Sequence, residues 1–238
     1  MPVVIYLHGN SSSRVEGMRI APELLKRDIN LFIFDFAGCG MSEGEFISLG
    51  HHERSDVKIV IDFVEKLPGV SRIGLWGRSM GAATASMYTQ SDERVKAVVY
   101  DSSFCDFSKL AKELSKKQVN LPNFILDTAL SFIRKTIQNK NNVDIYQLTP
   151  ITYAPKTTAP GFFVHAMNDE LIPLEHSLSL FEVYGGNRLK NKLTNIILKL
   201  GEKSLNICEG GHNTMRQKTI LEKISKFFAK WLLDQTDF

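Results

Sequence analysis

Apolar runs of strand length alternate along this chain with stretches of helical period, and that alternation constrains the fold more than any other feature. The runs fall at Val3–Leu7, Leu31–Phe36, Arg72–Trp76, Val95–Tyr100, Gly161–His165 and Leu205–Cys208. Helical patterns fall at Val15–Arg27, His52–Leu67, Met80–Gln90, Pro173–Tyr184 and Thr214–Leu233. In the last, Ile220, Ile224, Phe227, Phe228 and Trp231 share one stripe while Lys218, Glu222, Lys226 and Lys230 lie off it, the 3.6-residue period of an amphipathic helix. Strands that are apolar throughout are buried on both faces. The pattern therefore predicts an α/β fold, a mostly parallel sheet with helices on both sides. A length of 238 residues suits one such domain.

One segment breaks the alternation. Residues 104–145 carry two helical patterns and no strand, between two strands that should be neighbours, and read as a helical insertion into a core formed by 1–103 and 146–238. Thr149–Pro160, punctuated by Pro150, Pro155 and Pro160, reads as the extended return to the sheet. From Phe104 to Lys140 there are seven basic residues (Lys109, Lys112, Lys116, Lys117, Arg134, Lys135, Lys140) and three acidic ones (Asp106, Glu113, Asp127), so this stretch is +4 and the rest of the chain −1.

Composition excludes several function classes. Apolar residues at 43% and charged residues at 23% describe a folded globular chain, and no run approaches the ~18 apolar residues of a membrane span. A net charge of +3 is too small to argue for nucleic acid as partner. Cys39, Cys105 and Cys208 are too few and scattered for a zinc site or a disulfide framework, and fit reduced thiols in a cytoplasmic protein. The start, Met1-Pro2 followed at once by an apolar strand, is not a signal peptide. Gly38-Cys39-Gly40 follows a strand, but Glu43 stands where a dinucleotide fingerprint needs its third glycine.

The chemistry concentrates at Gly77-Arg78-Ser79-Met80-Gly81, a G-x-S-x-G pattern. A second match, Gly40-Met41-Ser42-Glu43-Gly44, shows how weak the pattern is alone. A nucleophile elbow needs a strand running directly into the serine and a helix running directly out. Only Ser79 has both. A serine hydroxyl also needs a base and a group that orients the base. His51 and His52 open a polar helix, His176 fits a helix surface and His165 ends an apolar strand as a core histidine would. His212 follows Gly210-Gly211 in a loop at the carboxyl edge of the sheet and is the expected base. Asp169, after the strand ending at His165, and Asp101, ending the strand before it, can each reach a histidine there; the order Ser79, Asp169, His212 favours Asp169. The amides of Met80 and Asn10 are the expected oxyanion donors.

Tyr6-Leu-His-Gly-Asn10, Asp35-Phe-Ala-Gly-Cys-Gly-Met-Ser42, Gly77-Arg-Ser-Met-Gly81, Asn168-Asp-Glu-Leu-Ile-Pro173 and Gly211-His-Asn213 occur in an order that resembles serine hydrolases of the α/β-hydrolase fold. They are most similar to the HGN-type branch that includes protein depalmitoylases and many esterases. The resemblance runs from Val3 to the final helix. It implies hydrolysis of esters, thioesters or, less often, amides, with no cofactor and no metal, and with small-molecule or acyl-protein esters as substrates. Two departures stand out. Family members normally carry two further strands before the HG strand, which suggests a truncated chain and an edge strand, Leu31–Phe36, open to self-association. The stretch Asn187–Ser204 is also long. For the insertion, two expectations stand side by side: a packed helical pair, or a cap whose apolar side lines an acyl pocket and whose basic rim meets anionic membrane surfaces. The rival readings are a non-catalytic binding protein of the same fold and a serine peptidase.

Overall fold

β-branched and aromatic residues dominate the runs that become strands, and in the computed structural model each such run lies in one sheet. Residues 1–118, 122–185 and 202–233 are described. β1 (Val3–Leu7) leads through a 3₁₀ helix (Arg14–Ile20) and the short α1 (Ala21–Leu25) to β2 (Asn30–Ile33). Next come α2 (Glu53–Val64), β3 (Ile73–Arg78), α3 (Met80–Tyr88) and β4 (Val95–Asp101). The insertion supplies α4 (Phe107–Gln118) and α5 (Asn123–Asn141); then α6 (Pro150–Tyr153), β5 (Gly161–Ala166), α7 (Leu174–Val183), β6 (Lys203–Cys208) and α8 (Lys218–Leu232) complete the order. The six strands lie β2-β1-β3-β4-β5-β6, with every pairing parallel. This is the α/β hydrolase architecture, with β3 central and β2 and β6 at the edges.

Both sheet faces are covered. One carries Ile5, Leu7, Leu75 and Val98, packed beneath α2 through Val57 and Ile61 and beneath α3 and α7; the other carries Val4, Tyr6, Trp76, Val99 and Val164 against α8 through Ile224 and Phe228. Among the described residues, no helix is long and apolar enough to cross a membrane.

Several expected boundaries move, each for a local reason. The strand expected to reach Phe36 stops at Ile33, because the Phe36 amide donates to the His8 ring at 3.1 Å rather than to a neighbouring strand. The helix expected over Val15–Arg27 is a 3₁₀ helix plus one short α-helix. There Gly17 packs so closely on Tyr6 and Ile33 that a Cβ would lie 2.7 Å from Ile33. The return segment is not extended: Pro150 and Pro155 start helical turns, the first-turn role that suits a residue without an N–H. The last helix begins at Lys218 rather than Thr214. The long stretch at Asn187–Ser204 lies mostly outside the described residues. In the insertion, Phe104 and Leu110 pack on Ala83 and Met87 of α3 together with Ile145 and Leu148.

Candidate active site

The G-x-S-x-G pattern becomes a turn whose glycines are dictated by contact distances. A Cβ on Gly81 would lie 2.0 Å from the Leu7 carbonyl oxygen, and one on Gly77 would lie 2.4 Å from that of Gly81. Between them Ser79 has φ 52° and ψ −115°. Such a conformation costs a non-glycine residue about 1–3 kcal/mol and is held only where surrounding structure imposes it. Its amide donates to the Asp101 carbonyl at 2.8 Å, which anchors the elbow to β4. Ser42, in the second match, sits in a loop and donates to the Asp35 carbonyl at 2.7 Å, with no helix until Glu53.

Ser79, His212 and Asp169 come from three separate strand ends and meet. Ser79 Oγ lies 3.1 Å from His212 Nε2, and His212 Nδ1 lies 2.7 Å from Asp169 Oδ2. The other Asp169 oxygen accepts the amides of Leu171 (3.0 Å) and Ile172 (2.8 Å). Burial alone would raise the Asp169 pKa. The hydrogen bonds from His212 and Ile172, with the charges of His212 and His165, outweigh it and hold the carboxyl below its ordinary value. The group therefore stays an acceptor for the Nδ1–H and fixes which ring nitrogen is free to take a proton.

Asp101 is occupied elsewhere. Arg216 grips it with Nε and Nη2 at 2.7–3.1 Å, in a pair buried on both sides. Arg216 also donates to the carbonyls of Gly211 and Thr214 at 3.3 Å, so it braces the loop that carries His212.

A second brace was not evident from the sequence. One Glu16 oxygen accepts the Gly9 amide at 3.0 Å and the other pairs with Arg78. Arg78 Nη2 donates in turn to the His212 carbonyl at 2.7 Å and to Asn213 Oδ1 at 3.0 Å. The chain Gly9–Glu16–Arg78–His212 thus ties the loop after β1, the elbow and the histidine loop together. Only the position of Arg78 inside the G-x-S-x-G pattern hinted at it. Gly9 lies against the serine: a Cβ there would sit 3.6 Å from Ser79 Cβ. Asn10 follows it, exposed. Met80 begins α3, in whose first turn backbone N–H groups have no preceding helical carbonyl.

Two further histidines are buried and hydrogen-bonded away from the serine. His165, buried as expected, donates from Nε2 to the Ile172 carbonyl at 2.9 Å and accepts from the Ser177 hydroxyl at 2.8 Å. His176 is fully buried, contrary to the surface position expected of it. Its Nδ1 accepts the Cys105 amide at 3.1 Å and its Nε2 donates to Glu113 of α4 at 2.8 Å. Burial pulls the pKa of both rings below the ordinary value.

The apolar residues of the insertion are divided. Leu126 and Leu130 are buried, whereas Phe124, Phe132 and Ile133 are exposed at 70%, 73% and 46%. The Lys117 ammonium reaches the Glu170 carbonyl at 3.2 Å, so α4 ends beside the loop that holds Asp169.

Comparison with known proteins finds a family model described as "alpha/beta hydrolase fold" over residues 2–160. The chain is similar to the uncharacterized protein YqkD of Bacillus subtilis, 24% identical over 215 residues that cover 89% of this chain and 65% of YqkD. It is also 24% identical to human protein ABHD12B over 96% of this chain, of which it spans 61%. Among solved structures, the Pyrococcus furiosus esterase Pf2001 superposes with a TM-score of 0.71 at 23% identity, covering 97% of this chain and 83% of that one.

Proposed function

Since the chain belongs to the alpha/beta hydrolase fold family, we propose that it is a serine hydrolase that cleaves carboxylic esters or thioesters through an acyl-enzyme on Ser79. The observation that carries the proposal is the continuous relay from Ser79 Oγ to His212 Nε2 and from His212 Nδ1 to Asp169. The esterase named among the structural neighbours supports the same reaction class.

The steps follow from the geometry. Ser79 Oγ attacks the carbonyl carbon as its proton passes to His212 Nε2, while Nδ1–H stays bonded to ionised Asp169. The amides of Met80 and Asn10 receive the developing oxyanion; one such donor is worth ~3–4 kcal/mol of barrier. The imidazolium then protonates the leaving alkoxide or thiolate. Water, deprotonated by the same nitrogen, releases the acid. Amides come last in preference because a departing amine demands full protonation. In this reading residues 1–103 and 146–238 form the core and 104–145 a cap, which the contact of Lys117 with the Glu170 carbonyl supports.

A fluorophosphonate probe gives the test. Wild-type protein should be labelled and should turn over p-nitrophenyl esters, and Ser79→Ala should lose both while keeping its melting temperature within a few degrees. Full esterase activity in Ser79→Ala would remove the proposal.

A further inference from the structure

The loop after β1 carries the amide of Asn10, one of the two expected oxyanion donors, and groups outside the relay hold it. The carbonyl oxygen of the peptide unit between Gly9 and Asn10 lies 2.8 Å from His8 Nδ1. The Phe36 amide donates to Nε2 of the same ring at 3.1 Å, so Nδ1 carries the hydrogen and donates it to that carbonyl. In a trans peptide the N–H points away from the C=O, so fixing the Gly9 oxygen aims the Asn10 N–H. The preceding peptide is fixed as well, because a Glu16 oxygen accepts the Gly9 N–H at 3.0 Å. Ser11, next along, has φ 55°, a left-handed conformation that a serine keeps only where neighbouring contacts impose it.

Glu16 is itself held. Its second oxygen pairs with the Arg78 guanidinium, and each side chain is only 15% exposed. Arg78 directly precedes Ser79, and its other terminal nitrogen donates to the His212 carbonyl at 2.7 Å and to Asn213 Oδ1 at 3.0 Å. One guanidinium thus spans from the loop of the amide to the loop of the base. Its N–H fork is planar and rigid, so a shift of either loop strains the bond to the other.

We propose that Glu16 and Arg78 are positioning residues for hydrolysis: together they set the Asn10 amide and His212 in register, so that oxyanion and proton are received in one geometry. The inference rests on the hydrolase reading, and both side chains act through Asn10 and His212 rather than on the substrate.

Glu16→Gln and Arg78→Met test it. The first keeps the shape but sets an amide N–H against the Gly9 N–H or the guanidinium; the second removes the fork. With p-nitrophenyl butyrate each should lower kcat by about 10–100-fold at a KM within about twofold of wild type, since a displacement of ~1 Å can cost ~10²-fold. The double variant should lose no more than the worse single one, as residues acting in one network do. Two ketones supply a readout that a merely structural role would not move. Hexyl trifluoromethyl ketone adds Ser79 Oγ at its carbonyl carbon, its oxygen becoming the oxyanion while the serine proton passes to His212; methyl hexyl ketone forms no stable adduct. Affinity for the first should fall in proportion to kcat/KM, and affinity for the second should stay within about twofold. An unchanged kcat in Glu16→Gln, additive losses in the double variant, or equal loss of affinity for the two ketones would overturn the proposal. Glu16→Gln decides alone if Arg78→Met does not fold. A wild type that neither turns over the ester nor takes the fluorophosphonate removes the hydrolase reading and this inference together, whereas an active wild type with any of those three outcomes removes this inference alone.

Discussion

Asp101 and Asp169 end neighbouring strands and differ in what holds them. Asp169 orients an imidazole, whereas Asp101 neutralises a buried guanidinium. Their amide variants should therefore separate cleanly. Asp169→Asn keeps the shape but leaves His212 Nδ1–H without its anionic acceptor, and kcat should drop by ~10³–10⁴-fold with a small change in melting temperature. Asp101→Asn strands Arg216, and breaking a buried pair this way costs ~3–5 kcal/mol. It should show as a lower melting temperature, with kcat per folded molecule reduced far less. Steady-state kinetics and thermal melts on both proteins check it, and the reverse ranking would exchange the roles. From the sequence, the two were equivalent carboxylates at one edge of the sheet, and only chain order separated them. The partner that distinguishes Asp101 lies 115 residues away, and no local pattern encodes such a pair. Ser79 was readable for the opposite reason, since a strand, an elbow and a small-residue helix are contiguous in the chain.

The helical insertion carries the next test. α4 is fastened to the core through Glu113 and His176, and Leu126 and Leu130 are buried, but α5 turns Phe124, Ile125, Phe132 and Ile133 outward. Exposed aromatics among lysines suit a surface that combines hydrocarbon with negative charge, where each basic residue near an anionic leaflet contributes ~1 kcal/mol. The chain should co-sediment with phosphatidylserine-containing vesicles more than with phosphatidylcholine vesicles, and Phe132→Asp should release it. Equal sedimentation with both lipids would mean the basic residues do not contribute. Here the sequence conveyed composition without direction. It could not say that Phe104 and Leu110 are used in packing on α3 while Phe124 and Phe132 are not, because the choice depends on how two helices rotate against a third. The short β2 and the broken helix after β1 were illegible on the same ground: His8 and Tyr6, brought in from β1, override the local periodicity.

Over the whole molecule, protonation sets a lower pH limit. Burial depresses the pKa of His165 and His176, so both are neutral in the fold while the unfolded chain protonates them near pH ~6.5. Below that value the unfolded state binds more protons, and stability falls as pH falls. Asp169, also depressed, adds stability that is present above its unfolded value of ~3.9 and is lost on further acidification. Melting temperature should be level from pH 8 to 7 and decline from about 6.5 downward. A rise between pH 7 and 5.5 would contradict this assignment.

The order β2-β1-β3-β4-β5-β6, parallel throughout, also bears on how the protein is made. Each strand pairing joins residues separated by a helix or more, and β1 waits for β3, some 70 residues on, before its second neighbour exists. High contact order of this kind slows folding and keeps strand edges exposed while the chain waits. Because Ser79, Asp169 and His212 directly follow β3, β5 and β6, the relay closes only when the last strand docks. On the proposed function, a nascent chain ending before residue 212 would be inert toward esters during synthesis on a ribosome, and hydrolysis should begin only once the loop after β6 has emerged and docked.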